Sequence, residues 1–362
     1  MGRFTEIVRR NKLYVVLFIF VFGINFLSFV GWLSGKISPV AETVVQEEQV
    51  QGEESRPVRR LFDEEEQKVR QEKMEALLDK DPTLGVFLGL VNLMILFVIF
   101  VGLILDAYFF KRWLRKEPVR LWDPERHDIR WGMADVARVI LIFMAYGYIF
   151  AILQFHGAKY FQIFRNENFR MIFSTALMNV IGISVILYFV VKKYGQKIKA
   201  IGLTSKRAGS SIFYAVVGYV ALVPVLLGIM VITFLVSRRY GYHPPMQPIV
   251  QVFIEEKTTL VLWLSTLFAA VFGPIAEEIF FRGFMYPAVR KKLGIFSGIL
   301  ITSVIFSFLH THAIGFLPIV ALGFLLAYVY EKTGSLVAPI AVHIFHNVVM
   351  VFLVFLMRCF ET

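Results

Sequence analysis

Long apolar runs constrain this chain more than any other feature. Stretches near 13–35, 84–110, 133–155, 171–191, 211–236, 259–281 and 336–357 dominate it, and shorter ones at 295–310 and 316–331 complete a set of nine. About 18 consecutive apolar residues suffice to suggest a membrane-crossing helix. Hydrocarbon offers no partner to a backbone N–H or C=O, so such runs must satisfy their own hydrogen bonds as helices. Composition agrees, since 57% of the 362 residues are apolar, whereas a soluble chain falls nearer 45–50%. The expected fold is all-α: a polytopic transmembrane helix bundle of about nine spans.

Charge then orients the bundle. The formal net charge of +11 hides a division. Residues 42–81 hold 13 acidic and 7 basic side chains, leaving 31 Lys/Arg against 14 Asp/Glu elsewhere. Clusters such as KRWLRK (111–116) and KKYGQKIK (192–199) directly follow apolar runs. That is the positive-inside pattern of a membrane protein, and it argues against a nucleic-acid partner. The first apolar run is too long for the 7–15-residue core of a signal peptide, so it reads as an uncleaved span. A cytoplasmic N-terminus follows, with 36–83 outside and 111–132 and 192–210 inside. Arg238 and Arg239 fall outside on this count, against the trend. The single cysteine, Cys359, excludes an internal disulfide. The chain is expected as an integral multi-pass protein of a bacterial cytoplasmic membrane.

Polar residues divide the chain again. Asp106, Asp135 and Arg138 lie near span ends, where polar tips reach the interface at little cost; they read as anchors. The acidic segment 36–83 has a helix-forming second half and reads as a solvated extracytoplasmic helix. From 259 onward, charges fall deep inside apolar runs. Residues 1–200 are therefore expected to form an accessory membrane region of four spans, and 201–357 the working core.

Three clusters share that core: EEIFFR (277–282), FSFLHTH (306–312) and HIFHN (343–347). Four of the seven histidines lie between 310 and 346. An ionisable group at the centre of a membrane helix costs roughly 2.5–3.5 kcal/mol and usually marks a function or a buried pairing. At 3.6 residues per turn, Glu278 and Arg282 share a face and can pair, which leaves Glu277 free to meet water. His343 and Asn347 likewise stack one turn apart, whereas His310 and His312 point to opposite sides. A desolvated carboxylate can take a proton from water, an imidazole can share that water or protonate a leaving amine, and a second imidazole and an amide can donate to an oxyanion. The same groups could hold a divalent metal such as zinc through His310 and His343, or line the path of a proton- or ion-coupled transporter. On the residues alone, all of these stay open.

E-E-x-x-x-R at 277–282, F-x-x-x-H at Phe306–His310 and H-x-x-x-N at His343–Asn347 resemble, in order and spacing, the motifs of the CPBP family. These are the CAAX prenyl proteases and bacteriocin-processing enzymes, also called Abi. The run YEKTGSLVAPIAVHIFHN (330–347) is similar to that family's final motif region. The resemblance covers about 200–357. It implies an intramembrane endopeptidase in which Glu277 activates water beside His310, while His343 and Asn347 stabilise the oxyanion. Glu278 and Arg282 occupy supporting motif positions. The substrate would be a protein or peptide at the bilayer. An amide is a poor zinc ligand but a good oxyanion donor, so Asn347 favours a glutamate-type mechanism without a cofactor. The alternatives are a non-proteolytic immunity, sorting or transport protein on the same fold, and a sortase-like transpeptidase. His346, three residues after His343, is expected to support the site, His312 to sit at an interface, and HPPMQP (243–248) to be a plain connector. Oligomeric state is not legible.

Overall fold

The computed structural model describes residues 11–33, 68, 78–117, 128–157, 159–240, 247–310 and 314–361. The expectations for most of 36–83, for His312 and for most of HPPMQP lie outside these residues. Ten helices are seen among them: α1 (Lys12–Leu33), α2 (Pro82–Leu114), α3 (Met133–Gly157), α4 (Glu167–Lys193), α5 (Ala208–Arg239), the short α6 (Pro248–Glu255), α7 (Thr259–Leu293), α8 (Ile295–Phe308), α9 (Phe316–Thr333) and α10 (Val337–Glu361). No strand occurs among the described residues. Seven helices are long and apolar enough to cross a membrane, and two more apolar stretches, Lys12–Leu27 and Ile295–Phe308, are shorter. Every run expected as a span is helical. The chain is an integral multi-pass membrane protein.

Two polar knots mark opposite ends of the bundle. At one end Asp135, only 4% exposed, accepts hydrogen bonds from Arg138 at 2.7 Å, Lys193 at 2.6 Å, the Tyr194 hydroxyl and the Gly132 amide. Asp135 is therefore no simple interfacial anchor. Donors from α3 and from the end of α4 converge on it and offset the cost of burying a carboxylate. The same end holds the Arg290–Glu331 contact at 3.0 Å and the Tyr286 hydroxyl donating to Glu331 at 2.8 Å. At the other end Glu256 accepts from Asn168, Asn166 and the Thr258 amide. Arg358 of α10 donates to the carbonyls of Phe253 and Glu256.

Helix α7 is the axis of the core, and it is irregular. Two π-helical turns, Phe268–Phe272 and Ile279–Met285, flank the short α-helical piece Gly273–Glu278. Such turns are rare and frequently occur at functional sites. The first 200 residues reach this helix directly. Trp131, fully buried, donates from its indole N–H to the Phe284 carbonyl at 2.9 Å and stacks on the Phe284 ring, with centroids 5.4 Å apart. Phe189 of α4 meets the same ring edge-on. Gly283 lets the chain at Ile201 approach α7, since a Cβ there would lie 3.1 Å from the Ile201 carbonyl. By contrast α2 stays peripheral and packs chiefly on α5. Gly102 abuts the Val220 carbonyl and the Pro224 ring, and a Cβ would come within 2.5 Å of that oxygen.

The Glu256 knot carries a pH signature. Burial alone would raise its carboxyl, but hydrogen bonds from Asn168, Thr258 and Asn166 outweigh it and hold the group down at about 2, against 4.5 for the free side chain. A carboxyl depressed by folding contributes stability that is complete above its unfolded value and lost as pH falls toward its folded one. The detergent-solubilised protein should therefore lose melting temperature between about pH 4.5 and pH 2. Glu256→Gln should flatten that limb; an identical acid limb in the variant would remove Glu256 from the account.

Candidate active site

The charges inside α7 are resolved by three other helices. Glu278 and Arg282, both with fully buried side chains, pair at 2.6 Å between Oε1 and the guanidinium. The second terminal nitrogen of Arg282 donates to the Gly323 carbonyl of α9 at 3.1 Å. Gly323 permits this approach: a Cβ there would press within 3.2–3.3 Å of Ser303 and Phe306 on α8. The Phe306 ring lies 4.6 Å from the guanidinium carbon, a cation–π contact that is strongest where water is excluded.

The same Glu278 oxygen takes a second partner. His343 of α10 places Nδ1 2.9 Å from Oε1. A carboxylate only accepts, so Nδ1 carries the proton and Nε2 is left for chemistry. His343 Nε2 sits 3.7 Å from Oε2 of Glu277, too far for a hydrogen bond. Glu277 differs from its neighbour in access, with a side chain 34% exposed against none for Glu278. Its Oε2 is itself buried and has no hydrogen-bond partner in the protein. Glu278 Oε2 and Arg282 Nε are also buried without partners, so the ion pair is not fully satisfied.

His310 and Asn347 join this group through intermediaries. His310, just beyond the end of α8, directs Nδ1 to the Phe306 carbonyl at 2.8 Å, leaving Nε2 as an acceptor. Its ring packs on Phe306 at 4.7 Å between centroids, and Phe306 meets His343 at 5.7 Å. Phe306 thus lies against Arg282, His310 and His343 together. Asn347 donates from Nδ2 to the Ala269 carbonyl at 2.8 Å. His346 turns away, sharing a 2.9 Å hydrogen bond with the Tyr219 hydroxyl of α5. Direct contacts therefore unite Glu277, Glu278, Arg282 and His343, while Phe306 and Ala269 link in His310 and Asn347.

Helical spacing identified the Glu278–Arg282 pair but could not find its tertiary partners. His343 was expected at an oxyanion, yet half of its ring is committed to Glu278. Gly323 left a faint signal, as the one glycine inside α9. Among the described residues, no three His, Cys, Asp or Glu side chains are placed to hold one metal ion.

Removing one partner of a buried pair costs about 3–5 kcal/mol, because the other charge is left unpaired. Glu278→Gln should accordingly lower the melting temperature of the purified protein. Adding Arg282→Met should restore part of the loss. Single variants that melt like the parent would show that the pair contributes nothing.

The comparisons with known proteins fall on this region. A family profile described as type II CAAX prenyl endopeptidase Rce1-like matches residues 259–349, the span from α7 to the motif on α10. A Bacillus subtilis (strain 168) protein named "Putative membrane peptidase YdiL" is 35% identical over 88 residues, 24% of this chain. The matched part covers only 36% of that relative's length. No solved structure matches the chain. The profile covers all three motifs, which converge on one buried site, so the likeness to CAAX prenyl endopeptidases extends over residues 259–349.

Proposed function

We propose that the chain is an intramembrane endopeptidase that hydrolyses a peptide bond of a membrane-associated protein or peptide, with Glu277 activating the water. The supporting observation is the asymmetry between adjacent carboxylates. Glu278 is enclosed by Arg282 and His343, whereas Glu277 is accessible and keeps one oxygen without a protein partner beside His343 Nε2. The first is built to hold position and the second to exchange a proton.

Each group then has a task. Glu277 takes a proton from water as the water oxygen attacks the scissile carbonyl. His310, an acceptor at Nε2, relays that proton from Glu277 to the leaving nitrogen as the C–N bond breaks, which returns Glu277 to its carboxylate. As an oxyanion donor His343 carries a proton at Nε2 as well as the one that Nδ1 donates to Glu278. The Nε2–H and the remaining N–H of Asn347 donate to the oxyanion, where one such donor is worth about 10²–10³ in rate. Water attack makes the enzyme a hydrolase rather than a transpeptidase. Arranging these groups inside a helix bundle keeps the backbone satisfied while the site stays polar.

Glu277→Gln keeps shape but removes the base. It should insert and melt like the parent and abolish cleavage, read as new N-termini in membrane-fraction proteomics of cells carrying the parent or the variant. The same new termini in both would sink the proposal.

Metal dependence is tested separately. Cleavage of a quenched-fluorescent peptide that the wild type processes should survive exhaustive chelation. It should be lost in Asn347→Asp, whose carboxylate repels the developing negative charge yet would serve a metal well. Activity that vanishes with chelator and returns with stoichiometric zinc would replace this mechanism with a metal-based one.

A further inference from the structure

We infer that Pro274 is a positioning residue that acts through Asn347: by withholding a backbone N–H it reserves the Ala269 carbonyl as the anchor of the Asn347 amide. The inference rests on the oxyanion role proposed for Asn347 and extends it to two residues that no motif contains.

The argument is a count of hydrogen bonds around one turn. In the π-helical stretch Phe268–Phe272 the Gly273 N–H donates to the Phe268 carbonyl, five residues back. In an α-helix that N–H would have gone to Ala269. In the π register the donor to Ala269 would be residue 274, and residue 274 is proline, which has no N–H. Both helical routes to the Ala269 oxygen are thereby closed. An unpaired carbonyl inside a membrane protein is unfavourable, and the oxygen is met from α10 by Asn347 Nδ2 at 2.8 Å. Only the nitrogen end of the amide can serve a carbonyl acceptor, so this contact also fixes which way the amide is turned. One N–H is consumed and the other remains for the reacting carbonyl.

Gly273 supports the same turn. A Cβ at this position would lie 3.1 Å from the Phe268 carbonyl, the acceptor of its own N–H, and a methyl there would push the π turn open. Three residues beyond Pro274 stands Glu277. The irregularity that frees Ala269 therefore also sets the phase at which the carboxylates leave α7, and it couples the base to the oxyanion donor on α10.

Pro274→Ala supplies the missing N–H and a good helix former, so the variant should fold. The new donor competes with Asn347 for the Ala269 oxygen and loosens the amide. In purified full-length protein with the quenched-fluorescent peptide, kcat should fall by about 10- to 10²-fold, in the range of a small misplacement, with KM unchanged. The decisive reading is the double variant. Pro274→Ala combined with Asn347→Ala should be no slower than Asn347→Ala alone, because a residue acting through Asn347 has nothing left to act on. Gly273→Ala should show the same dependence on Asn347. Multiplying losses in the double variants, or an unchanged kcat in Pro274→Ala, would overturn the inference. Glu277→Gln, run in the same assay, separates the two layers. If it is inactive while the losses multiply, only the positioning role fails; if it cleaves like the parent, the catalytic reading falls and takes this one with it.

Discussion

Everything in the core is arranged around a guanidinium that cannot reach water. Arg282 is fully buried in a chain that spans a membrane, and a buried charge is tolerable only when paired and hydrogen-bonded. Its requirements recruit Glu278 one turn back, the Gly323 carbonyl on α9 and the face of Phe306 on α8. Glu278 in turn fixes His343 on α10. Four helices are thus brought into register by one side chain. The catalytic candidates inherit their positions from that electrostatic obligation, since two of them bond or pack directly to Glu278 or Phe306.

Such a site was partly legible before folding. Apolar run lengths gave every helix but the short α6, because lipid leaves the backbone a single solution. The i,i+4 spacing gave the Glu278–Arg282 pair, because residues one turn apart are neighbours whatever the tertiary structure. The remaining contacts were hidden for a common reason. Trp131 to Phe284, His343 to Glu278 and Arg282 to Gly323 join residues 41 to 153 positions apart. No local periodicity encodes which carbonyl or carboxylate a distant donor will find. Asp135 shows the reverse error: its place near a span end suggested an exposed anchor, while the donors that enclose it arrive mainly from the end of α4.

The irregularity of α7 was invisible as well. A period of 3.6 runs through the whole stretch, and neither π turn disturbs its apolar pattern enough to be read. Gly273 and Pro274 at the first turn, and Gly283 with Pro287 at the second, are the hints of a break. What the irregularity provides is a supply of carbonyls that helices ordinarily keep to themselves. Ala269 serves Asn347 and Phe284 serves Trp131, so the two disturbed turns become the attachment points for the rest of the bundle.

The Trp131 contact bears on what the smallest working unit of this protein can be. The indole closes an acceptor on the very helix that carries Glu277, and its ring fills the space against Phe284. A chain begun near residue 201 would contain every motif residue and still lack that donor. It would lose the indole's hydrogen bond to the Phe284 carbonyl and leave a vacated aromatic slot against the Phe284 ring of α7. The segment that matches the family profile therefore carries the residues proposed for the chemistry but not the indole that packs on its helix. Any excised version has to start upstream of Trp131, with α3 and α4 retained.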